Sequence, residues 1–336
     1  MACPTPTELG SAATTRAAPF AGNQQWALSA VGAVRAWRTT TGVGVRIGVI
    51  DSGVATVPGL TGQLAGSWTC RATCRRTPAQ DSTGHGTEVA GIIAADGSSG
   101  VVGLAPGSRV VSLRVTAPDG TISSRGLRAA VRRAAQLRLP IVNISLTENG
   151  IDRPLRRAIT TASDTLFVVG AGNDSSNIDQ PNTWAIDPCS SHLPNVLCVT
   201  ATDERHALAD FANWGKTSVN VAAPGVALST LGPVGQVEVS GTSFSTALVT
   251  GAAGLVKAAH PRLTPIGIRN VLLRSAAPVP GLQGRVSSGG TLNAARAVRL
   301  RSCRSAQLAR ECLNHSVPHF GPTPMGKTAT TLGDSK

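Results

Sequence analysis

Four polar residues interrupt the apolar pattern of this 336-residue chain at places where chemistry could be done. Asp51 closes the apolar run Val45–Ile50, and His85 lies in Gly84-His85-Gly86-Thr87. Asn173 follows Val168-Val169-Gly170-Ala171-Gly172, and Ser243 lies in Gly241-Thr242-Ser243. Acyl transfer needs a hydroxyl nucleophile, an imidazole to take its proton, a buried carboxylate to orient that imidazole, and donors for the developing oxyanion. Ser243, His85 and Asp51 supply the first three; the Asn173 side chain and the Ser243 backbone N–H are candidates for the fourth. Singly, each has an ordinary structural reading: a strand-end Asp and an Asn after Gly form turns, Ser caps helices, and a Gly-flanked His is commonly structural. Their combination, in this order, carries the weight.

These side chains can meet only if the elements that bear them end on one side of a sheet. Short apolar runs recur at Val110–Val115, Ile141–Leu146, Leu166–Ala171, Val196–Thr200 and Val219–Ala222, with helical patterns between them at Thr87–Ala95 and Ser124–Leu139. Continuous apolar strands alternating with helices predict an α/β fold, a doubly wound, mostly parallel sheet with helices on both faces. In such sheets the C-terminal strand ends form the ligand crevice, and helix N-termini there offer free N–H groups. Leu28, Val31, Val34 and Trp37 have the spacing of one further helix. In the segment 124–139, Leu127, Ala130, Val131 and Ala134 form an apolar stripe while Arg125, Arg128, Arg132 and Arg133 are expected to face solvent. The helix after Ser243 carries Ala247, Gly251, Ala252, Ala253 and Gly254, small residues that allow close backbone approach. Residues 1–23 read as an extended tail, 24–300 as one domain, and 301–336 as a basic tail.

Hydrophobic residues make up 41% of the chain and there are 37 glycines, enough to bury a sizeable core and to exclude general disorder. No apolar run approaches the ~18 residues of a spanning helix, so no membrane span is expected. The net charge of +13 invites a nucleic-acid reading. The arginines are nevertheless spread along the chain and aromatic residues are only 3%, so a general bias towards Arg is preferred, with adhesion to acidic surfaces or substrates as the alternative. Of seven cysteines, Cys70/Cys74, Cys189/Cys198 and Cys303/Cys312 form local pairs and Cys3 is left over. Three short-loop disulfides are expected, and with them an oxidising, extracytoplasmic location, secreted or periplasmic; a free buried thiol at Cys198 is the alternative. No His stands at ligand spacing from these pairs, so no metal is expected there. The N-terminal residues form no secretory leader, so the chain is expected to be cytosolic, a mature form or incomplete at its front, with any leader or pro-segment either outside this sequence or not needed.

The chain resembles the subtilisin-like serine peptidases (subtilases), whose catalytic residues run in the order Asp, His, Ser. Val49-Ile50-Asp51-Ser52-Gly53, Gly84-His85-Gly86-Thr87-Glu88-Val89-Ala90-Gly91 and Ser240-Gly241-Thr242-Ser243-Phe244-Ser245 are similar to the three catalytic motifs, over about residues 24–299. Gly103-Leu104-Ala105-Pro106, Asn143-Ile144-Ser145-Leu146 and Ala222-Ala223-Pro224-Gly225 agree with supporting segments. The resemblance implies endopeptidase hydrolysis of a peptide bond, with Asp51 orienting His85, Ser243 acylated, and Asn173 stabilising the oxyanion. It further implies that the segments Pro118–Ser123 and Asn143–Leu146 flank an extended substrate, and that Asn143, Ser145, Leu146, Thr147, Glu148, Gly170, Ala171 and Gly172 form the substrate site. Thr147 and Glu148 stand where the family has glycines. Glu88 and Ala247 also depart from it, standing where His and Pro are common. The resemblance implies no cofactor; calcium sites in the family use loop oxygens, and Asp96-Gly97-Ser98-Ser99-Gly100 offers one carboxylate, so no calcium site is assigned. The expected partner is a protein or peptide substrate, not nucleic acid, met by a monomer.

Overall fold

The computed structural model describes residues 24–117, 120–180 and 185–300, with the backbone alone at 24–25 and 148–149. Both tails, and with them Cys3, Cys303 and Cys312, lie outside the described residues. The strands are β1 (Arg46–Asp51), β2 (Leu64–Cys70), β3 (Cys74–Arg76), β4 (Arg109–Arg114), β5 (Ile141–Ile144), β6 (Glu148–Asn149) and β7 (Leu166–Gly170). They continue with β8 (Ile186–Asp187), β9 (Val196–Thr202), β10 (Val221–Pro224), β11 (Leu228–Gly232), β12 (Gly235–Val239), β13 (Ala277–Pro278) and β14 (Gly290–Thr291). The helices are α1 (Gln24–Ala30), α2 (Ala33–Trp37), α3 (His85–Ala94), α4 (Ser124–Gln136), α5 (Arg153–Thr161), α6 (Thr242–Ala259), α7 (Pro265–Ser275) and α8 (Ala294–Ala297).

Ten strands form the main sheet in the order β13-β14-β10-β9-β7-β5-β1-β4-β2-β3, parallel except where β3 and β13 close the two edges. This is the doubly wound α/β architecture that the alternation of apolar runs and helices predicts. Because α3 leads from the β1–β2 side into β4, and α4 then carries the chain across to β5 on the other flank of β1, strand order reverses at β1. Asp51 is therefore the last residue of the strand at the switch point, where open α/β sheets place their ligands.

Side chains on β1 alternate between two cores. Ile47 and Val49 join α3, α6 and α7 on one face, and Ile50 joins α4 and α5 on the other. The α6 helix is buried from Thr242 to Val256 apart from Ser243, and its small residues let it lie directly against the sheet. A Cβ on Gly254 would stand 2.9 Å from Ile47 Cδ1.

Several sequence expectations are corrected. The segment spaced as a single helix is broken at Gly32, whose φ of 72° ends α1 and restarts the chain as α2, leaving Val34 exposed. The segment 118–123, expected to flank a substrate, forms no strand over its described residues 120–123. Thr116 and Ile122 bridge to each other and the Ala117 N–H bonds the Thr121 carbonyl. Arg128 and Arg133 are half-buried, not solvated: Arg128 Nη1 lies 2.7 Å from Asp152 Oδ2 and Arg133 Nη2 donates to the Cys74 carbonyl at 3.1 Å. Cys70–Cys74 and Cys189–Cys198 are disulfides, the first joining β2 to β3.

Filling the α6–β1 contact should be costly. Gly254→Val should destabilise the fold by about 1–3 kcal/mol, as overpacking does, read as a lower urea midpoint at unchanged slope. Val234→Ala, at a residue 96% exposed, should leave the midpoint in place.

Candidate functional site

The site begins with a carboxylate taken out of water. Asp51 is fully buried; its Oδ1 accepts the Ser52 N–H at 2.7 Å and lies 2.8 Å from His85 Nδ1. Its second oxygen is buried with no hydrogen-bond partner among the described residues. A bond at Nδ1 sets the imidazole's tautomer and leaves Nε2 for other chemistry. The His85 ring lies 5.5 Å from that of Phe244, in the first turn of α6, and this contact brings the imidazole to the helix end that carries Ser243.

The join between β1 and α3 depends on Asp81, which the sequence reading did not single out. Asp81 Oδ1 accepts the Ser52 hydroxyl at 2.6 Å and the Gly84 N–H at 2.9 Å. Oδ2 accepts the Thr87 N–H at 2.8 Å and the Thr87 hydroxyl at 2.5 Å. The Ser52 hydroxyl in turn accepts the Gly86 N–H at 2.9 Å. One carboxylate thus satisfies two of the orphan donors at the start of α3, Gly84 and Thr87, and ties that end to the residue after Asp51. Its signal in the sequence was an Asp followed by Ser, Thr and Gly just ahead of a helical pattern. Gly86 is required here because a Cβ would collide with the Gly53 carbonyl oxygen and come within 3.1 Å of Asp51 Cβ.

Burial works against a charge on His85, but the charge of Asp51 and the hydrogen bond to it outweigh burial. Glu88 and Asp81 add to them, so its pKa is pushed up to about 9. Burial also raises Glu88, against the pull of His85.

Ser243 is half-buried in the first turn of α6. Its Oγ donates to the Ser145 carbonyl at 3.4 Å, and Ser145 Oγ donates back to the Ser243 carbonyl at 3.0 Å. Asn143 Nδ2 holds Ser145 Oγ at 2.8 Å, and Thr250 Oγ1 holds Asn143 Oδ1 at 2.9 Å. Asn143 is fully buried with its amide engaged in this relay, so its side chain serves Ser145 and does not meet a substrate. Thr250 was not anticipated; it lies two turns along α6 from Ser243, on the buried side.

Asn173 is exposed, and its Oδ1 accepts both the N–H and the hydroxyl of Thr242, at 3.0 and 2.9 Å. The amide is thereby oriented so that Nδ2 remains to donate, 3.6 Å from where a Cβ on Gly241 would lie. The loop that carries it is held by buried Asn213, whose Nδ2 donates to the Ala171 carbonyl at 3.0 Å and whose Oδ1 accepts the Asp174 N–H at 3.0 Å. Forty residues separate Asn213 from that loop, and no local pattern announces it.

Of the other candidate residues, Gly170, Ala171 and Gly172 are buried at the end of β7, Leu146 is half-buried and Thr147 exposed just beyond β5. Glu148 lies in β6, its backbone paired with Asp187 of β8, while its side chain is outside the described residues. Asp187 is buried and grips Nη2 of half-buried Arg156 through Oδ1 at 2.6 Å, so an ion pair anchors the strand beside Glu148. Among the described residues no group of three or more His, Cys, Asp or Glu is placed to hold a metal ion. No helix among them is long and apolar enough to cross a membrane.

Comparison with known proteins agrees with this architecture. The model of the subtilase family matches residues 42–299. Subtilisin BL of Lederbergia lenta is 31% identical over 280 residues, covering 82% of this chain and 98% of its own length. An extracellular protease of Xanthomonas campestris is 30% identical, over 82% of this chain and 55% of its own length. The crystal structure of MycP1 with the N-terminal propeptide removed superposes with a TM-score of 0.71 at 30% identity, covering 84% of this chain and 99% of that one. A cold-adapted subtilisin-like serine proteinase superposes with a TM-score of 0.65 at 26% identity, over 76% and 90%. The chain therefore belongs to the subtilase family and is a serine-type endopeptidase.

Proposed function

We infer that Asp51, His85 and Ser243 are the catalytic triad of this endopeptidase, and that Asn173 Nδ2 and the Ser243 N–H form its oxyanion hole. The 2.8 Å contact between buried Asp51 and His85 Nδ1 carries this reading, because it leaves Nε2 as the base. Rotation of the Ser243 side chain exchanges its bond to the Ser145 carbonyl for one to Nε2. Ser243 Oγ then attacks the scissile carbonyl as Nε2 takes its proton, and the two N–H donors receive the oxyanion. The amine leaves with the proton from Nε2, giving an acyl ester on Ser243; water, deprotonated by the same nitrogen, releases the acid and restores the serine. The substrate lies extended against Ser145, Leu146 and Thr147 on one side and the end of β7 on the other, with backbone hydrogen bonds supplying part of its affinity. The two disulfides support action in an oxidising, extracytoplasmic compartment.

Ser243→Ala should lower kcat by about 10⁴-fold or more and abolish labelling by a fluorophosphonate, and adding His85→Ala should cost little further, because triad members act as a unit. Full additivity of the two losses would overturn the assignment. Asn173→Ala should lower kcat by about 10²–10³-fold with KM nearly unchanged.

His85 must be neutral to act as base, so kcat/KM should rise with pH through a single ionisation near 9, well above the ordinary value of 6.5. Glu88→Gln, which removes one of the carboxylates that raise it, should move the midpoint down and increase activity at neutral pH. Folded protein holds this proton more tightly than unfolded chain, so the stabilisation is complete below about pH 6.5 and is lost as pH rises through about 9.

By the family resemblance Thr147 and Glu148 stand at the pocket for the side chain before the scissile bond, where a carboxylate at its edge would favour Arg or Lys; the alternative is that Glu148 faces solvent and the pocket stays apolar. An exposed pair of this kind is worth ~0–1 kcal/mol. Glu148→Gln should reduce the ratio of kcat/KM for matched Arg and Leu peptides; an unchanged ratio would remove Glu148 from selection.

A further inference from the structure

Outside the triad, a strongly basic groove lies between α4 and α5. Its volume is about 510 Å³ and four arginines line it: Arg128 and Arg132 from α4, Arg153 and Arg157 from α5. The two helices flank β5 in sequence, run in the same direction and cover the same sheet face, opposite α3 and α6. Arg128 is neutralised by Asp152, the N-cap of α5, at 2.7 Å. Arg132, Arg153 and Arg157 are exposed and form no ion pair with any described residue. The neighbouring Arg156 points elsewhere, into Asp187. Like charges held together repel, and nothing in the fold needs these three: the apolar sides of α4 and α5, Leu127, Val131, Leu155 and Ile159, already seat the helices on the sheet.

We propose that this groove docks an acidic, extended segment of the polypeptide substrate, away from the scissile bond. The proposal rests on the peptidase reading given above. On each helix the arginines are four residues apart, about 6 Å along the axis. An extended peptide advances about 6.6 Å in two residues, so Asp or Glu at alternate positions comes into register with successive arginines. A polypeptide fits better than a compact anion because the three unpaired charges are spread over both walls of a groove, not gathered at one pole. The groove also begins where the substrate segment ends: Ser145, Leu146 and Thr147 leave β5, pass through β6, and reach Asp152, whose carboxylate holds Arg128 and whose N–H bonds Asp187 at 2.9 Å. A chain leaving the cleft over this loop meets Arg153 first and Arg157 one turn later.

The test uses peptides with one cleavage sequence, extended at either end by alternating Glu-Ser or by Gln-Ser. Exposed pairs each contribute a factor of about two to five, so three together should raise kcat/KM for one Glu-Ser peptide about tenfold at low salt, through KM and not kcat. The advantage should fall towards unity in 0.5 M NaCl, where the Debye length is near 4–5 Å, and to about twofold in Arg132→Gln/Arg157→Gln, which keeps Arg153 and should cleave the Gln-Ser peptide as wild type does. Equal kcat/KM for the two extensions at both ends, or an advantage untouched by the double substitution, would overturn the proposal. Binding of a fluorescent Glu-Ser peptide without a cleavage site to the Ser243→Ala protein keeps the two readings apart. Arg132/Arg157-dependent binding without cleavage by wild type would count against the peptidase chemistry alone. Cleavage without such binding would count against the groove alone. Inorganic polyphosphate or anionic vesicles that bind through the same arginines where the peptide does not would identify a different anion and also overturn it.

Discussion

A carboxylate without water at the end of β1 is the constraint around which this molecule is arranged. Asp51 is held in the interior by one backbone N–H and the His85 imidazole, and a polar group so placed is costly unless its partners are in position. That requirement fixes the start of α3 relative to β1 to within hydrogen-bond tolerance. Asp81 and Ser52 meet it by accepting the N–H groups of Thr87 and Gly86 at the start of α3, while the Ser52–Asp81 bond locks that start to the strand. The helix cap and the site are therefore one structure.

The nucleophile end is held differently, by packing from below and a polar relay from the side. The small residues of α6 let the helix lie on β1 and its neighbours with almost no gap, so its N-terminus cannot slide. Thr250, Asn143 and Ser145 then connect the helix interior to the backbone of Ser243 through buried hydrogen bonds. Buried polar groups that are fully paired specify one arrangement, and here they specify where the first turn of α6 stands against the end of β5.

Charge is distributed on a different principle from these buried contacts. The three ion pairs among the described residues all join segments far apart in the chain: Asp51 to His85, Arg128 to Asp152, Arg156 to Asp187. The second and third are joined through Asp152, whose carboxylate takes Arg128 and whose N–H meets Asp187, so β6, β8 and α5 are fastened at one place beside the expected substrate strand. An arginine-rich composition thus serves two ends, a few guanidinium groups tying loops to the scaffold and others left to face solvent.

Period and motif were enough to foresee the parallel α/β sheet, because strands buried on both faces must be continuously apolar. They were also enough to foresee the placing of Asp51, His85 and Ser243 at element ends, because a polar residue is tolerated there and not within. Local cysteine spacing anticipated the two bridges. The sequence could not show that one helical pattern would break at Gly32, since spacing says nothing of φ. It also did not show that Thr116 and Ile122 would bridge to each other or that two arginines on the polar side of α4 would find partners. The roles of Asp81, Asn143, Asn213 and Thr250 depended on tertiary structure for the same reason. Each makes a bond across 29–107 residues of chain to a group it meets only after folding, and hydrogen bonds at such separations leave no period in the sequence. What the chain determined by itself was which residues could do the chemistry; their distances, burial and protonation came from the packing of β1, α3 and α6, because those quantities depend on neighbours that local pattern does not encode.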